Sequence, residues 1–407
     1  MNKMNLFQKD KKSNIHTNED MKKQEQFFEL LSKTSLNKIS EMPIGISDFE
    51  EVINNKLFYV DKTGLIEDLL SSHCKVTLFT RPRRFGKTLA MSMLENFFNI
   101  TKNSKELFTG LKISKNVELC NNYMNQYPTI FITLKEIEGE NYRVAFNRFK
   151  EKIIHLCTVF SFLTNSTKVS EESKELFSRL KSTAVTDSEI VDALAKFIYL
   201  LYSHYDKPVI LLIDEYDVPL AKATDNGYYN EMLSMMRGFM QVLKDNSYLK
   251  FAIITGCLRI SKESIFTGTN NFYINSITAK RCSEYFGFTH NEVQQMLEDA
   301  GALDKLPEIK EWYDGYNFGD TEIYCPWDVI NYVNDYLYGE EILPKCYWND
   351  TSSNSIIRTF INNYGNRLQK DFTILLKGGS IQKKVKEDLT YDLLHSSIEN
   401  FWSILFL

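Results

Sequence analysis

Residues 83–88 read Arg-Arg-Phe-Gly-Lys-Thr, and residues 214–215 read Asp-Glu. The first group has the side chains needed to hold phosphate. Gly86 lets the backbone approach closely, Lys87 supplies a mobile charge for the β and γ phosphates, and the Thr88 hydroxyl can ligate magnesium. The second group has the side chains needed to use that phosphate. Asp214 would hold magnesium, usually through water, and Glu215 would polarise the attacking water as general base. The ligands implied are ATP, or a similar nucleoside triphosphate, and Mg2+. A strand end at Thr255 followed by Arg259 adds a group to orient the water and an arginine to touch the γ phosphate. Arg83, Arg84 and Phe85 complete the loop as candidate nucleotide contacts. For the two arginines, phosphate neutralisation and contact with an acidic partner remain equally open. One departure from the usual spacing is plain: the first glycine of G-x-x-x-x-G-K-[ST] falls at Arg81, and Pro82 beside it fixes φ, so the loop entry must differ.

Such groups work only if a rigid element presents them. Residues 76–79 form an apolar run directly before the loop, and the residues after Lys87 have the apolar spacing of a helix. Residues 209–213 form a second such run, which delivers Asp214 and Glu215 at its carboxyl end, where ligands of open α/β sheets sit. Neighbouring strand residues point to opposite faces, so a bend at Glu215 is needed to bring both acids to one phosphate. Further apolar runs at 129–134, 251–254 and 272–277 make five candidate strands. Between them lie helical patterns, the clearest at 187–205, where Thr186 and Glu189 have capping-box spacing and Lys207-Pro208 ends the pattern. Strands alternating with helices predict a parallel α/β sheet. After Arg281 the strand signal fades, and residues 281–407 read as a mainly helical region. The aromatic residues around Trp312, Tyr316 and Trp348 would either stack on a base or pack a core.

The chain has 407 residues, 43% of them apolar, enough for more than one domain and a large core. Its net charge of −5 gives no global basic field, so any nucleic-acid contact would be local. Seven dispersed cysteines without a Cys-x-x-Cys pair argue against a zinc or disulfide framework. No apolar run approaches the ~20 residues of a membrane helix. The expectation is a cytoplasmic protein with a polar tail over residues 1–40, a nucleotide domain over 41–280 and the helical region beyond.

The strings Tyr59-Val-Asp-Lys-Thr63, Thr80-Arg-Pro-Arg-Arg-Phe-Gly-Lys-Thr88, Leu212-Ile-Asp-Glu-Tyr-Asp-Val-Pro219, Thr255-Gly-Cys-Leu-Arg-Ile260, Trp312-Tyr-Asp-Gly-Tyr316 and Trp348-Asn-Asp-Thr351 resemble the bacterial AAA-ATPase-like proteins. The resemblance runs from about Met42 to the carboxyl end, and in that family an arginine at the position of Arg81 looks normal. It implies a P-loop NTPase core of the additional-strand class, in a family whose members commonly continue into a PD-(D/E)XK nuclease domain. No acid-and-lysine set for such a nuclease is visible here. The apolar residues 401–407 therefore read as the joint to a missing effector domain. The expected activity is slow Mg-dependent ATP hydrolysis that drives a conformational switch for a protein partner, a second copy or that effector. The rival readings are a nucleotide-dependent binding module without hydrolysis and a P-loop phosphotransferase.

Overall fold

The computed structural model describes residues 41–182, 185–258, 272–339, 343–348, 355–386, 389, 394 and 397–406. The tail expected over residues 1–40, and Arg259, lie outside the described residues. The five apolar runs form the five strands of one sheet: β1 (Val76–Thr80), β2 (Thr129–Thr133), β3 (Val209–Asp214), β4 (Leu249–Gly256) and β5 (Phe272–Asn275). Every pairing is parallel and the order is β2-β3-β4-β1-β5, so β4 separates β1 from β3.

Burial explains why the runs are continuously apolar rather than alternating. All six residues of β3 are buried, with Leu211 and Ile213 packed into one apolar cluster and Ile210 and Leu212 into another on the opposite face. The first cluster collects the helices Tyr142–Val159, Ala193–Tyr205 and Tyr229–Met240. The second collects the helix Lys87–Phe98 with Phe49, Leu65 and Phe108. The 187–205 pattern forms two helices, Asp187–Val191 and Ala193–Tyr205, that meet at Asp192, and the capping box between Thr186 and Glu189 is formed at both its bonds. Register then aligns the chemistry. Thr80 pairs with Gly256, Phe79 with Thr255 and Thr133 with Asp214, so the candidate residues share the carboxyl edge of the sheet.

The region after Arg281 is not simply helical. It contains an antiparallel sheet of β6 (Phe288–Thr289), β8 (Thr321–Tyr324) and β7 (Asp314–Phe318), among the helices His290–Asp299, Leu306–Tyr313 and Pro326–Leu337. These strands carry little signal: β6 has two residues, and β7 reads Asp-Gly-Tyr-Asn-Phe, poor in strand formers. Their pairing depends on the turn at Gly319, where φ is 57°, a value that favours glycine. The region is tied to the first part of the chain by Lys62. Its Nζ donates to both carboxylate oxygens of Glu292 and to the Glu284 carbonyl, each at 2.6 Å. Burial pushes the Lys62 ammonium below its ordinary pKa, an effect that Glu292 opposes. Such a pair fixes geometry more than it adds net stability. Further on, Phe401 of the helix Glu399–Phe406 is fully buried against Phe360, with ring centroids 5.5 Å apart.

Candidate functional site

The loop leaving β1 is anchored before it turns. Arg81 is fully buried, and its guanidinium donates to the Thr80 and Asn275 carbonyls at 2.8 Å and to Asn275 Oδ1 at 2.6 Å. The same group lies 5.2 Å from the Phe286 ring centroid and 5.1 Å from that of Phe318. Burial pushes the Arg81 pKa down to about 10, which leaves it charged at neutral pH. The residue at the first-glycine position is thus an internal strut that bonds β5, and its backbone N–H donates to the Gly256 carbonyl at 3.1 Å.

Two left-handed residues then shape the turn, Arg84 at φ 69° and Gly86 at φ 80°, on either side of the buried Phe85. A turn of alternating handedness can aim successive N–H groups at a common centre, the form of an anion-binding concavity, and this one leads directly into the helix Lys87–Phe98. At Arg84, a non-glycine residue, the conformation costs about 1–2 kcal/mol. The space where a Gly86 Cβ would stand has no atom within 4 Å. Phe85 points away from that concavity into an aromatic group, with ring centroids 4.8 Å from Tyr316 and 5.3 Å from Phe318. Arg84 stacks on Trp327 at 3.9 Å, and Arg83 is exposed. Lys87 is 4% exposed, and its Nζ donates to the carbonyls of Arg81 at 3.0 Å and Pro82 at 2.9 Å.

The acids meet this loop from β3. Asp214 is fully buried; its Oδ2 accepts from Thr88 Oγ1 at 2.8 Å and its Oδ1 from Thr255 Oγ1 at 2.5 Å. The helix Lys87–Phe98 and the strands β3 and β4 therefore meet at one carboxylate. Glu215 follows at φ 53°, the bend that the alternation of strand side chains requires. Burial pushes its carboxyl above the ordinary carboxylate range; the nearby Lys87 opposes the rise and Asp214 and Asp217 add to it. Asp217 follows two residues after Glu215, in the turn that leaves β3. It is 1% exposed, and its Oδ2 accepts from the N–H groups of Cys257 at 3.0 Å and Leu258 at 3.1 Å, which fixes the loop after β4. The Asp-x-x-Asp spacing of 214 and 217 was the available signal. Among the aromatics that could stack on a base, Tyr316 and Trp348 pack against the second cluster and Trp312 is 54% exposed.

This junction is crowded, and Gly256 shows how tightly. A Cβ there would lie 2.5 Å from the Tyr216 ring and 2.7 Å from Asp217 Oδ1. Tyr216 is fully buried and its hydroxyl donates to the Leu258 carbonyl at 2.8 Å. Gly256→Ala is expected to cost about 1–3 kcal/mol by overpacking. Chemical denaturation measures it, and an unchanged midpoint would contradict the packing described.

A parallel α/β sheet with a phosphate-loop-like turn after β1 and an acidic pair after β3 defines the class of this domain. The chain belongs to the AAA-ATPase-like family: the family model described as "Predicted AAA-ATPase" matches residues 43–266. A curated protein of Azotobacter chroococcum mcd 1, described as an uncharacterized protein in the vnfD 5′ region, is 28% identical over 294 residues. The match covers 71% of this chain and 51% of that protein, so the chain spans about half the length of this relative. No solved structure matches the chain. No helix among the described residues is long and apolar enough to cross a membrane.

Proposed function

We propose that this chain binds ATP with Mg2+ at the edge shared by β1, β3 and β4 and hydrolyses it slowly, to switch a partner or an attached effector. The observation that carries the reading is the contact of Thr88 with Asp214 at 2.8 Å, between residues 126 apart in sequence. These two oxygens fit magnesium, which is commonly held by one or two protein oxygens with the rest supplied by phosphate and water. Among the described residues no group of three or more His, Cys, Asp or Glu side chains could hold a metal ion. Bound magnesium would neutralise charge on the β and γ oxygens.

The protein residues have separable tasks in this reading. The loop N–H groups around Gly86 take up phosphate oxygens. Lys87 exchanges its bonds to the Arg81 and Pro82 carbonyls for bonds to the β and γ phosphates. Asp214 holds the Thr88 hydroxyl toward the metal, and Thr255 holds Asp214. Glu215 takes the proton of the attacking water, for which a raised pKa brings it nearer the working pH. Arg83, exposed on the loop, is assigned to phosphate or to an acidic partner, and Arg259 to the γ phosphate. The position of β4 between β1 and β3 supports the additional-strand class.

Phosphate release from ATP by the full chain, followed across pH, tests this reading. Glu215 must be deprotonated to act, and its pKa is raised, so release is expected to fail on the acid side at a pH above the ordinary carboxylate range. Lys87 opposes that shift and Asp214 and Asp217 favour it. Release should also require Mg2+. Release that proceeds equally in EDTA, or whose acid limb lies at or below pH ~4.3, would contradict the roles given to Asp214 and Glu215.

A further inference from the structure

The phosphate loop does not rest on the five-stranded sheet alone. Two successive loop residues lean on the segment beyond Arg281: Arg84 lies 3.9 Å over the indole of Trp327, and Phe85 is buried edge-on against Tyr316, with centroids 4.8 Å apart. The indole is held in place, because its Nε1 donates to the Tyr347 carbonyl at 3.0 Å. Arg84 Nη1 is buried and makes no hydrogen bond among the described residues, so the guanidinium is held by the ring face and by the charge of the nearby Asp328. Arg84 is also the non-glycine residue of this loop in the left-handed conformation, and a strained residue persists where its surroundings over-determine it. The Lys62–Glu292 pair holds the same segment to the first part of the chain, so the support does not depend on the loop itself.

We propose that Trp327, with Tyr316 holding the adjacent Phe85, is a positioning residue of the phosphate loop: it fixes Arg84 so that the loop N–H groups converge before nucleotide arrives. Displacement of the segment after Arg281 then lowers nucleotide affinity, which makes that segment a control element for the site. The inference rests on the ATP reading above, and it assigns Arg84 to support rather than to phosphate contact.

The test is ATP affinity by calorimetry for wild type, Trp327→Ala, Arg84→Lys and the double variant, with thermal melts to establish folding. Trp327→Ala is expected to weaken binding roughly 10-fold, and Trp327→Phe, which keeps a ring face, to restore most of it. Arg84→Lys keeps the charge but loses the planar stack, so it should weaken binding to a similar degree. Because both changes break one contact, the double variant should lose little more than either alone. Additive losses, or an Arg84→Lys protein with wild-type affinity, would overturn the proposal. If Trp327→Ala does not fold, Arg84→Lys and Trp327→Phe decide it by the same criteria. Wild-type protein that fails to bind ATP would sink the ATP reading itself; wild type that binds, with single variants that bind as tightly, would sink this inference alone.

Discussion

Glu215→Gln is expected to keep ATP and magnesium bound while lowering turnover by roughly 100- to 10,000-fold, the range that a positioned general base contributes. The amide nearly matches the carboxylate in shape but cannot accept the water's proton. It also carries no charge, so the substitution relieves the cost of a burial-strained carboxylate among Asp214 and Asp217. ATP affinity should therefore stay level or rise as turnover falls, a split that unfolding or loss of the loop would not produce. Single-turnover phosphate release beside equilibrium binding reads both quantities. A Glu215→Gln protein that hydrolyses ATP at the wild-type rate would remove Glu215 from the mechanism and favour a module that binds nucleotide without cleaving it.

The second large effect belongs to Lys87. Its side chain is 4% exposed and its ammonium is already turned into the loop, where the carbonyls of Arg81 and Pro82 hold it. Lys87→Ala removes the charge that would meet the β and γ phosphates in a site shielded from water. Truncation of one partner in such a charge contact costs about 2–5 kcal/mol, which corresponds to a roughly 30- to 5000-fold weaker ATP complex. The fold should survive, because Asp214 keeps its bonds to Thr88 and Thr255, while Glu215 loses the nearby charge that opposes its raised pKa.

What could be read in advance, and what could not, divides by the range of the interaction. The five strands were legible because burial on both faces demands continuous apolar runs, as in β3. The capping box at Thr186 and Glu189 was legible because its partners are three residues apart. The placement of Asp214 and Thr255 at one edge was expected from strand ends, and a bend at Glu215 from strand alternation; its left-handed φ of 53° was not. The fate of Arg81 was not legible. Its partner Asn275 lies 194 residues away, and no local pattern tells an arginine that enters the protein from one that meets a phosphate. Arg84 and Phe85 escaped for the same reason, since Trp327, Tyr316 and Phe318 reach them only through the tertiary fold. The sheet of β6, β7 and β8 was missed because short strands with Asp, Gly and Asn gain their stability from cross-strand partners rather than from their own composition.

Titration of ATP with magnesium into the wild-type chain and into Lys87→Ala, by calorimetry under identical conditions, tests the central claim most directly. The account predicts saturable, magnesium-dependent binding to the wild type and a loss of at least about 30-fold in the variant, with both proteins melting cooperatively. Equal affinity in the two proteins, or no binding by the folded wild type, would contradict it.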